Sequence, residues 1–130
     1  MPIKEDMAWL AGIIDGEGCI LLRLPPEGGY HLCRVIIVNT DNGILEEVKR
    51  IYDEWQVFYT QQRKPISTNG HKPCYTVEVN RRMECQFLLG QILPYLKSNS
   101  RKTKANELLE FVETHRRKDG QKSNCIKRRI

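Results

Sequence analysis

The sequence has no apolar run approaching the roughly 20 residues that a membrane-spanning helix requires; its longest ends at Asp15. No positively charged start leads into a signal-peptide core. An intracellular setting, with no secretion or membrane signal, is therefore expected. Paired cysteines are also lacking. Cys19, Cys33, Cys74, Cys85 and Cys125 are odd in number, scattered, and contain no Cys-x-x-Cys spacing. That supports neither a zinc site nor a disulfide framework and leaves reduced thiols packed as small apolar groups. The three histidines, His31, His71 and His115, have no spacing suited to metal ligation or to a catalytic pair. Internal repetition is absent. At 130 residues the chain is long enough for one core and too short for two ordinary domains.

What charge there is lies unevenly. Residues 115–130 hold seven Lys/Arg against one Asp, so of the net +5 this stretch carries +6 and the remainder −1. The organisation expected is one domain over residues 1–116 and a flexible basic tail over 117–130, able to contact phosphates nonspecifically. Within the body, Lys97, Arg101, Lys102 and Lys104 cluster, as do Arg63, Lys64 and Lys72, while acids concentrate over residues 41–54. One basic surface on a nearly neutral body suits a nucleic-acid binder.

Residues 9–20, Trp-Leu-Ala-Gly-Ile-Ile-Asp-Gly-Glu-Gly-Cys-Ile, organise the rest. Residues 7–14 are small or apolar, with Asp6 available as an N-cap, which predicts a short helix buried on most sides. Asp15 and Glu17 then fall at a helix C-terminus, where carboxylates are unfavourable by roughly 0.3–1 kcal/mol each and a cation should offset them. Hydrated Mg²⁺, which takes one or two carboxylates and completes its shell with water and phosphate oxygens, fits. Gly16 and Gly18 allow close backbone approach. Gly12 in mid-helix costs about 1 kcal/mol against alanine unless a neighbour needs the space. With Ala8 and Ala11 it makes a flat side on which another helix could pack closer than the usual separation of about 8–10 Å.

Further along, residues 19–24 read as a strand with Ile20, Leu22 and Leu24 on one face and Cys19, Leu21 and Arg23 on the other. Residues 25–29 form a turn and residues 30–39 pair back as a second strand. Ile44, Leu45, Val48, Ile51, Tyr52 and Trp55 recur at helical spacing behind a start at residues 40–43. Residues 57–63 make a third strand, in which Tyr59, Gln61 and Arg63 share a face, and residues 74–80 a fourth, with Tyr75, Val77 and Val79 inward and Thr76 and Glu78 outward. A third helix carries Cys85, Leu88, Leu89, Ile92, Leu93 and Leu96 and is interrupted near Pro94. Residues 97–104 read as a basic connection, and a last helix buries Ala105, Leu108, Leu109 and Val112. Gln and Arg pair bidentately with adenine and guanine edges, so a sheet presenting Arg23, Gln61 and Arg63 suits major-groove contact.

Residues 10–18, Leu-Ala-Gly-Ile-Ile-Asp-Gly-Glu-Gly, resemble the signature of the LAGLIDADG homing endonucleases, with Ile13 in place of leucine and Gly16 in place of alanine. Element order over residues 5–115 resembles one subunit of that family too. The resemblance implies an α+β fold of order α-β-β-α-β-β-α, an antiparallel sheet forming a DNA-binding saddle, and a two-fold homodimer through the motif helices at Ala8, Ala11 and Gly12. It implies an intron-homing type of double-strand DNA endonuclease acting on a long pseudo-palindromic site, with Mg²⁺, or Mn²⁺ or Ca²⁺ in its place, held by Glu17 and the Gly16 carbonyl.

By the same resemblance Arg101 matches the basic residue that stabilises charge on the phosphate, with Lys97 and Lys102 as alternatives. Thr40 and Asp41 occupy the region of the water-positioning group, next to Asn39. Arg23, Tyr59, Gln61 and Arg63 become DNA contacts, with Lys97 and Lys102. Asp15 is expected to support its turn rather than the chemistry. The competing class is a nucleic-acid binding module on the same scaffold, a splicing maturase or regulator. A third possibility, an unrelated α+β interaction domain, predicts a monomer.

Overall fold

The computed structural model describes residues 2–23, 32–61 and 74–115. Helix α1 runs over Lys4–Glu17 and leads directly into strand β1, Gly18–Arg23; β2 is Leu32–Asn39 and α2 is Asn42–Trp55. Strands β3, Thr60–Gln61, and β4, Tyr75–Val79, precede α3, Arg82–Ile92, a 3-10 turn at Leu93–Tyr95 and α4, Asn99–His115. The strands form one antiparallel sheet in the order β1-β2-β4-β3. The expected α+β architecture and element order are those observed.

Alternation builds the two layers. Ile20, Cys33, Val35, Ile37, Val77 and Val79 are buried under the helices, while Cys19, Arg23 and their neighbours on the alternate positions stay at least partly open to solvent. Leu45, Val48, Ile51, Tyr52 and Trp55 of α2 close the core from one side; Leu88, Leu89 and Ile92 of α3 with Ala105, Leu108 and Val112 of α4 close it from the other. Apolar spacing in the sequence had marked nearly all of these positions. No helix among the described residues is long and apolar enough to cross a membrane.

Boundaries moved where polar groups found unforeseen partners. Helix α1 starts three residues before Met7, and Asp6 is not its cap: it lies inside the first turn, is buried, and pairs with Arg50 of α2 at 2.9 Å. Strand β3 starts at Thr60, three residues later than expected. The Val57 amide donates to the Tyr52 carbonyl at 2.8 Å and the Phe58 amide to Glu84 Oε1 at 3.0 Å, so neither is free for a ladder. Residues 99–104 are not a connection but the opening turns of α4.

Candidate active site and nucleic-acid interface

The C-terminus of α1 is where the chain's predicted chemistry converges. Gly18 pairs with Ile37 and Asn39 with Tyr75, so the end of β2 and the start of β4 lie alongside the α1–β1 junction. Gly18 is required there: a Cβ would stand 2.8 Å from Ile14 Cα and 2.9 Å from its carbonyl oxygen. Gly16 is different, because a Cβ on it would meet nothing within 4 Å.

Asp15 binds across 82 residues. Its carboxylate accepts from the Lys97 amide at 2.8 Å and from the Ser98 amide at 3.0 Å. Ser98 in turn caps α4, its Oγ accepting from the Arg101 amide at 3.3 Å while its carbonyl accepts from the Lys102 amide at 2.9 Å. The offset expected for this misplaced acid is therefore the positive N-terminus of α4 and two amides, with no cation needed. Arg101, half-buried, is thereby held in the first turn of α4, which packs on β1. Its Nη1 donates to Ser100 Oγ at 3.4 Å, and its Nε has no partner among the described residues.

Glu17 is exposed and its carboxylate has no hydrogen-bond or ion-pair partner among the described residues. The amide of Gly18 closes the helix onto the Ile14 carbonyl, so the later carbonyl of Gly16 has no helical donor. This carboxylate and carbonyl, without partners among the described residues, are hard oxygen ligands of the kind Mg²⁺ accepts when water and phosphate supply the remainder. No cluster of three or more His, Cys, Asp or Glu suited to a metal occurs among the described residues. The donor set fits a hydrated ion shared with a substrate and does not fit an all-protein cage.

The group between β2 and α2 divides. Asp41 is the N-cap of α2, its Oδ1 accepting from the Gly43 amide at 2.8 Å, so its carboxylate is already engaged. Asn39 Oδ1 accepts from the Asp41 amide at 2.8 Å. Thr40 is exposed between them.

On the sheet, register corrects part of the proposed DNA face. Gln61 pairs with Val77, which is buried under the helices, and its Oε1 accepts from Lys49 Nζ of α2 at 3.1 Å. Tyr59 is half-buried, its ring centroid 5.7 Å from that of Tyr52. Burial, then a hydrogen bond with Asp53, raises its hydroxyl above the ordinary tyrosine value. Both residues therefore belong to the α2 side. Arg63 lies outside the described residues. Arg23, exposed and opposite Leu32, does sit on the open face, together with Leu21, Arg34, Ile36, Val38, Thr76, Glu78 and Thr60. Arg34 was missed by sequence reasoning, although its alternation against buried Cys33 and Val35 marks it as outward. Lys97 is exposed and Lys102 half-buried at the α4 end.

Of the three small residues expected to meet a partner helix, Ala8 and Gly12 are exposed, and a Cβ on Gly12 would meet nothing within 4 Å. Ala11 points the other way and is completely buried in the core, so it belongs to the chain's own packing. Trp9, 37% exposed, and Ile3, 53% exposed, flank the open stripe.

This combination of a four-stranded antiparallel sheet with the helices on one face is the LAGLIDADG homing endonuclease fold. The chain superposes on the homing endonuclease I-CvuI with a TM-score of 0.65 at 20% identity, over 85% of this chain and 67% of that one. With I-TnaI the TM-score is 0.60 at 17% identity, over 90% and 76%. With the LAGLIDADG meganuclease I-AabMI bound to uncleaved DNA it is 0.61 at 19% identity, over 91% of this chain and 40% of that one. No protein-family profile and no curated relative matches the sequence.

Proposed function

We propose that the chain is one subunit of a homodimeric, divalent-metal-dependent, site-specific double-strand DNA endonuclease of the homing type. The observation that carries this reading is the Glu17 carboxylate, without a partner among the described residues, beside the Gly16 carbonyl at the foot of an exposed stripe of small residues, on the helix end that Asp15 ties to the segment opening α4. The fold supports it: its neighbours include I-CvuI in complex with its target in calcium and I-CeuI complexed with DNA. I-AabMI, of which this chain spans 40%, has length for a second unit of the same size.

Phosphodiester hydrolysis requires an activated water and neutralisation of charge on the leaving oxygen. A divalent ion supplies both when bound. Glu17 and the Gly16 carbonyl would hold that ion at the helix end. Arg101, fixed in the first turn of α4, places its guanidinium toward the charge that accumulates on the phosphate. Thr40, with Asn39 beside it, orients water where β2 meets α2. Asp41, engaged as a cap, and Asp15, engaged with α4, position backbone only. Two copies related by a two-fold axis along the Ala8 and Gly12 stripe present two such ends, one per DNA strand.

The test is selection of cleaved sites from a randomised plasmid library with purified protein and Mg²⁺. Recovery of a single long site, lost with Glu17→Gln while binding is kept, is expected. Binding of a specific duplex with no cleavage at any metal concentration overturns the nuclease reading in favour of a binding module.

A further inference from the structure

Among the described residues Glu78 is the one acid on the open sheet face. Register fixes it there: it stands opposite Ile36 on β2 and Thr60 on β3. A carboxylate facing a polyanion opposes binding unless it accepts a hydrogen bond from a base, and in the major groove only the amino groups of cytosine and adenine donate. Its neighbourhood decides between them. Arg34 Nε lies 3.5 Å from Glu78 Oε2, an ion pair too long to be a well-made hydrogen bond. Asn80 Nδ2 donates to the same oxygen at 3.3 Å. Arg34 Nε is buried without a hydrogen-bond partner, and the two outer nitrogens of the guanidinium have none among the described residues. Among the described residues the pair therefore carries donors without partners on one side and a carboxylate oxygen without a partner, Oε1, on the other. Leu21, opposite Arg34, and Ile36, opposite Glu78, bring no competing polar group.

A G·C pair shows two acceptors on guanine followed by one donor on cytosine, the complement of this arrangement. Resting on the reading of the open face as a DNA surface, we propose that Arg34 and Glu78 jointly read one G·C pair in each half of the target, Arg34 donating to guanine O6 and N7 and Glu78 accepting from the cytosine amino group. The pair is then a specificity device: the cytosine hydrogen bond offsets the carboxylate's repulsion of phosphate, and pairs that lack a donor at that place leave the repulsion uncompensated.

The experiment is binding selection from a randomised duplex library in calcium, with wild type, Arg34→Gln and Glu78→Gln, each checked for an unchanged melting temperature. Wild type should enrich G·C at one position per half-site. Arg34→Gln should shift that position toward A·T, since glutamine pairs with adenine, and Glu78→Gln should relax it, each altering the preference by roughly 5- to 150-fold with other positions unchanged. If both variants change affinity equally for all sequences, the pair only neutralises charge and the inference is overturned. If wild type enriches no sequence at all, the underlying DNA reading falls instead. Because Arg34→Gln tests the guanine half independently, a failure of Glu78→Gln to fold leaves the prediction open to refutation.

Discussion

Asp15 and Glu17 stand two residues apart at one helix end and have opposite surroundings. Asp15 is bonded to two amides of the segment entering α4, whereas Glu17 has no partner among the described residues. Hydrogen bonds to charged groups contribute about 1.5–3 kcal/mol, less at exposed positions. Asp15→Asn, which keeps one good acceptor, should therefore lower stability by about 1–2 kcal/mol in urea unfolding, and should slow cleavage by loosening Arg101. Glu17→Gln should leave stability within about 0.5 kcal/mol of wild type, as surface substitutions do, and abolish cleavage. Comparable losses for the two variants in both assays would contradict this division. Glu84, fully buried on α3, holds the Phe58 amide; Glu84→Ala should cost at least about 1–3 kcal/mol by stranding that donor. Its role could not be read from the sequence, because its partner is a backbone N–H 26 residues back and backbone amides leave no mark in a residue pattern.

At the scale of elements, α1 contains two glycine problems with different solutions. Gly18 ends the helix against Ile14, and Gly18→Ala should destabilise the monomer through contacts under 3 Å to backbone. Gly12 has open space where a Cβ would go, so Gly12→Ala should stabilise the isolated subunit by up to about 1 kcal/mol while weakening self-association, a pairing of opposite signs measurable by melting at low concentration and by sedimentation. Arg50 of α2, which also pairs with Asp6 of α1, adds a pH dependence through its partner Glu47 in the same helix. Arg50 contacts Asp6, Glu47 and Glu54, and its hydrogen bond holds the Glu47 carboxyl below its ordinary value of 4.5. A lowered folded-state value means that the stabilisation is present above the ordinary value and disappears as pH falls through the lowered one. The deficit of Arg50→Gln relative to wild type should accordingly be full above the ordinary carboxylate value and shrink as pH falls below it. Helices α2, α3 and the second half of α4 were legible because burial imposes a 3.6-residue period. The starts of α1 and α4 were not, since α1 begins without a side-chain cap and α4 begins inside a run of polar residues whose cap, Ser98, is itself held from another element.

At the scale of the whole molecule, acids gather on α2 while the described open face of the sheet carries Arg23, Arg34 and Glu78. Helix α2, bearing Glu46, Glu47, Asp53 and Glu54, packs on the buried side of β2 and β4, while Arg23 and Arg34 lie on the open side. The body through residue 114 nevertheless sums to −1, so it offers little long-range attraction to a polyanion. Nearly all the net positive charge is in the last 16 residues, six of whose basic residues lie beyond residue 116. If the open face selects sequence and the tail supplies attraction, the two contributions should part in a salt titration. Deleting residues 117–130 should weaken binding to all duplexes alike and reduce the slope of log affinity against log salt by up to about 5, since each neutralised phosphate contributes about 0.9. The selected sequence and the position of the cut should stay the same, because phosphate contacts position a protein without carrying base information. Binding titrations from low to physiological salt on the selected site and on a scrambled duplex make the comparison. A truncated chain that keeps the full salt slope would place the attraction on the body, and one that changes the preferred bases would place sequence reading in the tail.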